Sequence, residues 1–136
     1  MEEALIGYLL ANAGVQALAQ NGSGPVRLYW VTAPQNVAKP YATLFKVDGL
    51  RDTPLGGPNG FQQSRIQIDC YGLTYASAKG LARAIETAIG AGRFTISSIE
   101  FQGCFLVAER DGFEPDASPD KLFRVSTDFL TFHNGV

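Results

Sequence analysis

Between Arg65 and Ile89 the hydrophobic period changes from two to roughly 3.6 with almost no loop between. In RIQIDCYG, Ile66, Ile68 and Cys70 fall on one strand face, and Arg65, Gln67, Asp69 and Tyr71 on the other. Thr74 then stands where a helix N-cap belongs, because its hydroxyl can accept from an unbonded amide of the first turn. Leu81, Ala82, Ile85 and Ile89 follow as one apolar stripe at helical spacing. A half-buried strand thus hands directly to an amphipathic helix, expected over 74–90 and closing near Gly90 and Gly92. Nothing in the run is catalytic.

The rest of the chain is read around this unit. Residues 2–19 predict a helix with an apolar face of Leu5, Ile6, Leu9, Leu10 and Leu18. Glu2 and Glu3 sit at the favourable end of its dipole, and a weak point is expected near Gly14. NGSGP at 21–25 is a loop. Arg27–Thr32 and Tyr41–Asp48 are strand-like, with Pro34 and Pro40 bracketing their connector. A third strand covers about 62–71. After the second helix come a short extended piece at 94–98 and strands at 99–110 and 122–133. In the last, Phe123, Val125, Thr127 and Phe129 oppose Arg124, Ser126 and Asp128. The order α-β-β-β-α-β-β predicts one α+β domain over residues 1–136. Its mixed or antiparallel sheet has about four to five strands, with two helices on one face. The other face is left for a partner.

A chain of 14.6 kDa exposes roughly 6,900 Å² when folded, against roughly 21,000 Å² unfolded, enough difference for one core. Hydrophobic residues make up 46%, which excludes a disordered chain. The net charge of −2, with the eleven Lys and Arg scattered, argues against tight nucleic-acid binding. No apolar run is long enough for a membrane span, and the acidic start MEEALIGYLLANAG is unlike a signal peptide, so a cytoplasmic site of synthesis is expected. Cys70 and Cys104 sit among apolar neighbours and read as reduced core thiols, although sequence leaves a disulfide open.

Residue types that carry catalysis are sparse. The one histidine, His133, lies near the C-terminal end and reads as a solvated or edge residue, a weak partner for either cysteine. Gly56, Gly57 and Gly60 lead into Phe61-Gln62-Gln63 rather than the Lys-Ser or Lys-Thr of a phosphate loop. Glu109, Asp111, Glu114, Asp116 and Asp120 lack calcium-loop spacing and read as solvated loop charge. Two cysteines and one histidine do not make a zinc site by spacing. Catalytic, cofactor and metal residues are accordingly expected to be none.

Two long loops stand out, at 49–60 and 111–120. Each sets charge beside apolar residues, as in segments that order against another subunit. The candidate contact residues are Arg51, Asp52 and Leu55 in the first, and Arg110, Asp111, Phe113 and Glu114 around the start of the second.

The order of elements EEALIGYLLANAGVQAL, LYW, KPYATLF, RIQIDCYGLTYASAKGLARAI, GCFLVAERDGFEPD and LFRVSTDFLTFH resembles the phage tail-completion family of tailed phages, prophages and gene transfer agents. Gln67–Ala82 is its strongest part, and the resemblance covers nearly the whole chain. It implies a structural virion protein made in the host cytoplasm: a tail terminator, whose six-membered ring caps the tail tube and joins tail to head. The implied partners are further copies of the chain, the tail-tube protein and the head connector, with no cofactor and no membrane. Six copies carry a formal charge of about −12, which suits DNA passing through the lumen without sequence-specific binding. The alternatives are another head-tail connector or tube subunit, and a small cytoplasmic ligand-binding or enzymatic domain.

Overall fold

The strand-to-helix unit forms as its periodicity requires. In a computed structural model, which describes residues 2–19, 26–32, 40–51, 61–90, 94–96, 99–114 and 122–134, β3 (Phe61–Gly72) runs into α3 (Tyr75–Ile89). Thr74 Oγ1 accepts from the Ser77 amide at 3.1 Å, and the Gly90 amide closes the far end onto the Glu86 carbonyl at 2.9 Å. The turn is tight enough to need glycine: a Cβ on Gly72 would stand 2.8 Å from the Ala78 nitrogen. Ile66, Ile68 and Cys70 are fully buried beneath Leu81, Ile85 and Ile89.

The N-terminal helix is divided. α1 (Glu2–Leu10) and α2 (Ala13–Ala19) meet at Ala11-Asn12, ahead of the weak point expected at Gly14. Asn12 makes the break by capping: its Oδ1 accepts from the Val15 amide at 3.1 Å, while Gln16 Nε2 donates to the Leu10 carbonyl at 2.8 Å. The two residues satisfy backbone groups that an unbroken helix would satisfy itself. The break also changes which residues point inward. Leu5 and Leu9 of α1 are buried as expected, whereas in α2 it is Val15 and Ala19 that are buried and Leu18 that is exposed.

The remaining strands are β1 (Leu28–Trp30), β2 (Tyr41–Arg51), β4 (Phe94–Ile96), β5 (Ile99–Glu114) and β6 (Leu122–Asn134). They form one mixed sheet in the order β1-β2-β3-β6-β5-β4, parallel only between β1 and β2. Sheet and helices make the expected α+β fold, with three helices and six strands among the described residues where two and four to five were foreseen. Arg27 fastens the β1 end. Its Nε donates to the Pro40 carbonyl at 2.9 Å and its amide to the Ala19 carbonyl at 2.7 Å, tying the end of α2 to the start of β2.

Loop-like sequence also joins the sheet. β2 continues through Gly49, Leu50 and Arg51, and β5 continues through Asp111, Gly112, Phe113 and Glu114, which were expected to be loop. The extension of β5 is held by the Phe113 ring against Phe123, centroids 4.8 Å apart, and by room over Gly112 for the Arg124 guanidinium.

Candidate functional site

Strand geometry separates the residues that loop reasoning grouped. Arg110 and Asp111 are adjacent in β5, so their side chains leave opposite faces of the sheet. Asp111 points to the helix side and accepts from Tyr75 Oη of α3 at 3.2 Å, and Phe113 lies on that same side, half exposed beside Phe123. Glu109, read as solvated charge, lies in the strand expected over 99–110 and pairs with Lys79 of α3. Arg110 lies on the bare face. The two hairpins also diverge. Arg51 aligns through Gln62 with His133, whereas Glu114 pairs with Leu122 beyond the opposite end of the ladder. Eleven residues of β6, from His133 to Leu122, separate these levels, roughly 35 Å. Asp52 and Leu55 lie outside the described residues. Arg51 and Glu114 therefore stand at opposite ends of the sheet.

Arg110 belongs to a cluster on the bare face. Asp128 of β6 accepts from Arg65 Nη2 at 2.8 Å and from Arg110 Nη2 at 3.0 Å, so guanidiniums from both flanking strands converge on one carboxylate. Burial alone would push the Asp128 carboxyl up; the hydrogen bonds and charges of Arg110 and Arg65 outweigh it and hold the group below the usual carboxylate range. Beside it, Gln67 Nε2 donates to Asp69 Oδ1 at 3.0 Å. Both carboxylates are sunk into the sheet surface, while Arg65 and Arg110 reach solvent above them. At one end of this strip Tyr41 stacks on Tyr71, centroids 4.9 Å apart; toward the other, Phe105 meets Phe132 edge-on at 6.0 Å. Alternation alone places Arg65 and Asp128 on outward faces. The pairing register that makes them neighbours is non-local and invisible in sequence.

The histidine is the clearest correction. His133 is fully buried, not solvated, because its strand position carries it to the core side beside Phe101, ring centroids 5.7 Å apart. Its Nε2 lies 2.9 Å from Ser64 Oγ. A serine–histidine contact has the elements of an activated nucleophile, but both side chains are sealed from solvent and no substrate can reach them. The cysteines are free and buried, as core thiols should be. Desolvation pushes the Cys104 thiol up to about 11 and raises Cys70 further, which keeps both protonated and inert. Among the described residues no group of three or more His, Cys, Asp or Glu could hold a metal ion, and no helix is long and apolar enough to cross a membrane. A shallow groove between the α1–α2 turn and α3 is lined by Tyr8, Asn12, Arg83 and Thr87, with one charged side chain and no converging acid–base pair.

A chain in the solved structure titled "Virion of native gene transfer agent (GTA) particle" has the same fold, with a TM-score of 0.74 at 20% identity over 99% of this chain and 95% of that one. Comparison with curated protein sequences gave no match. The family model described as tail completion protein gp17 matches residues 3–134. With nearly its whole length matched, the chain belongs to the tail completion protein gp17 family and is a structural tail protein.

Proposed function

We propose that the chain closes into a ring of six copies that terminates the tail tube and offers its opposite face to the head connector. The match to a tail completion family over residues 3–134 carries this reading. Two features of the fold support it. A closed ring is built from heterologous contacts, in which one patch meets a different one, and this sheet has two unlike edges. A joining part also needs two ends for two partners. The hairpins holding Arg51, Asp52 and Leu55, and Arg110, Asp111, Phe113 and Glu114, root at opposite ends of the ladder. That a chain of this fold occurs in a gene transfer agent virion fits a place in the particle.

Native mass spectrometry across a concentration series, with negative-stain imaging of the same samples and of mixtures with purified tail tubes, tests the proposal. A six-membered ring with a central hole, free or on tube ends, is expected. Open-ended filaments from the pure protein would make it a tube subunit instead. Absence of rings both in solution and on tube ends would refute the termination role.

A further inference from the structure

Among the described residues, both long edges of the sheet are open along much of their length. β1 covers β2 only from Ala42 to Leu44, and β4 covers β5 only from Ile99 to Phe101; beyond these, no described residue pairs with the outer side of either strand. The register shifts once along β2, at Val47, and twice along β5, at Gln102 and at Val107. Sheet edges left to solvent are blunted with charge, proline or bulges. These two carry bulges and yet present apolar side chains at them: Val47 is 54% exposed, Val107 49% and Phe105 57%.

The bulges at Val47 and Val107 are level with each other. Lys46 pairs with Ile66, Ile66 with Phe129, and Phe129 with Leu106, so one row across the sheet reaches both bulges. A second copy related by rotation alone brings Val47 to the height of Val107. Edges at unequal heights would need a translation and would wind into a filament. Strand direction agrees, since β2 and β5 run oppositely and a copy turned about an axis along the strands sets them antiparallel.

We infer that the edge of β2 at Val47 in one copy seats against the edge of β5 at Phe105 and Val107 in the next, a deepening that rests on the ring reading above. The occupant of each edge is the other edge of an identical chain, so neither edge pairs with itself.

Cysteine pairing tests this directly. Within one chain the two positions are three strand spacings apart, about 14 Å, beyond the reach of about 7 Å between Cα atoms that a disulfide allows. Any Val47→Cys to Val107→Cys bond is therefore between copies. Under mild oxidation the doubly substituted chain should give a covalent ladder ending at the ring size. Either single variant alone should stay monomeric on non-reducing gels. A mixture of the two singles should give one heterodimer and nothing larger. Homodimers from either single, or no ladder from the double variant where the unsubstituted protein forms rings, would overturn the edge assignment and leave the ring standing. Absence of rings from the unsubstituted protein, with tail tubes present, would overturn both.

Discussion

Two alanine substitutions in the strand-to-helix unit should move stability in opposite directions. At Gly80, inside α3, an added Cβ meets nothing nearer than Leu18 Cδ1 at 4.0 Å. The substitution removes the helix penalty of glycine and should stabilise the fold by about 1 kcal/mol. At Gly72 the same methyl would stand 2.8 Å from the Ala78 nitrogen and 3.0 Å from Ser77 Cβ. Neither neighbour can swing aside, because one is backbone and the other is fixed to the first turn of α3. Separating them means shifting the helix start off β3 and straining the Thr74 cap, for which overpacking costs of about 1–3 kcal/mol are usual. Reduced freedom of the unfolded chain returns about 0.4–1 kcal/mol of that. The net expectation is about 1–2 kcal/mol of destabilisation at Gly72, so the two variants should differ by about 2–3 kcal/mol. Urea melts at one pH, fitted with a common slope, read the difference as a shift in midpoint. A Gly72→Ala midpoint at or above that of the unsubstituted protein would refute the close approach of strand and helix on which the junction is argued.

Asp128→Asn should cost about 1–2 kcal/mol at neutral pH, discounted for the half-exposed arginines. Since the folded carboxyl is held below its unfolded value near 4, the stabilisation is present above that pH and lost as pH falls through the folded value; a gap between the melts that persists unchanged at pH 3 would contradict the assignment. Val31 holds φ at 67°, costly for a β-branched residue, in a tight turn where the Thr32 amide donates to the Trp30 carbonyl at 2.7 Å. Val31→Gly should raise the melting midpoint, by about 1 kcal/mol once the entropy of glycine is set against the relieved strain, and a lowered midpoint would count against that turn. Arg51→Glu combined with Asp111→Lys is expected to leave far-UV circular dichroism unchanged and to block tail joining; normal virion yield would remove those hairpins from the contact surface.

Local rules made β3, α3 and their caps legible, because periodicity, Thr74 and Gly90 all act within a few residues. The helix break was half legible: a weak point near Gly14 follows from propensity. Placing it at Asn12 required knowing that Gln16 reaches back to the Leu10 carbonyl. Asp111-Gly112-Phe113 reads as a turn in isolation and is strand here because Phe123 and Arg124, ten and more residues on, pack against it. His133 was misjudged for the same reason. Its burial is set by Ser64, at a sequence separation of 69, and by Phe101 across the sheet. For the candidate surface, alternation assigned faces correctly to Arg65 and Asp128, but their pairing is set by the β3–β6 register, and the split between Arg110 and Asp111 by the pairing that carries β5 on through Asp111.

The polar residues that might have signalled an enzyme are used to fasten strands. Thr127 Oγ1 donates to the Ile68 carbonyl at 3.2 Å and Thr131 Oγ1 to the Ser64 carbonyl at 3.0 Å, while Ser64 itself is bound to His133. All of these stitch β3 to β6, the central pair of the sheet. The longest strand is also much longer than the helix that packs on the sheet centre. At about 3.3 Å per residue β5 extends for roughly 50 Å, whereas α3, at about 1.5 Å per residue, covers roughly 22 Å. The bare face and the sheet edges also leave Phe105, Val107 and Val47 exposed. A lone enzyme domain gains nothing from exposed apolar surface and unpaired edges. In an assembly, exposed apolar surface and open sheet edges of this kind are available for contact with neighbouring subunits.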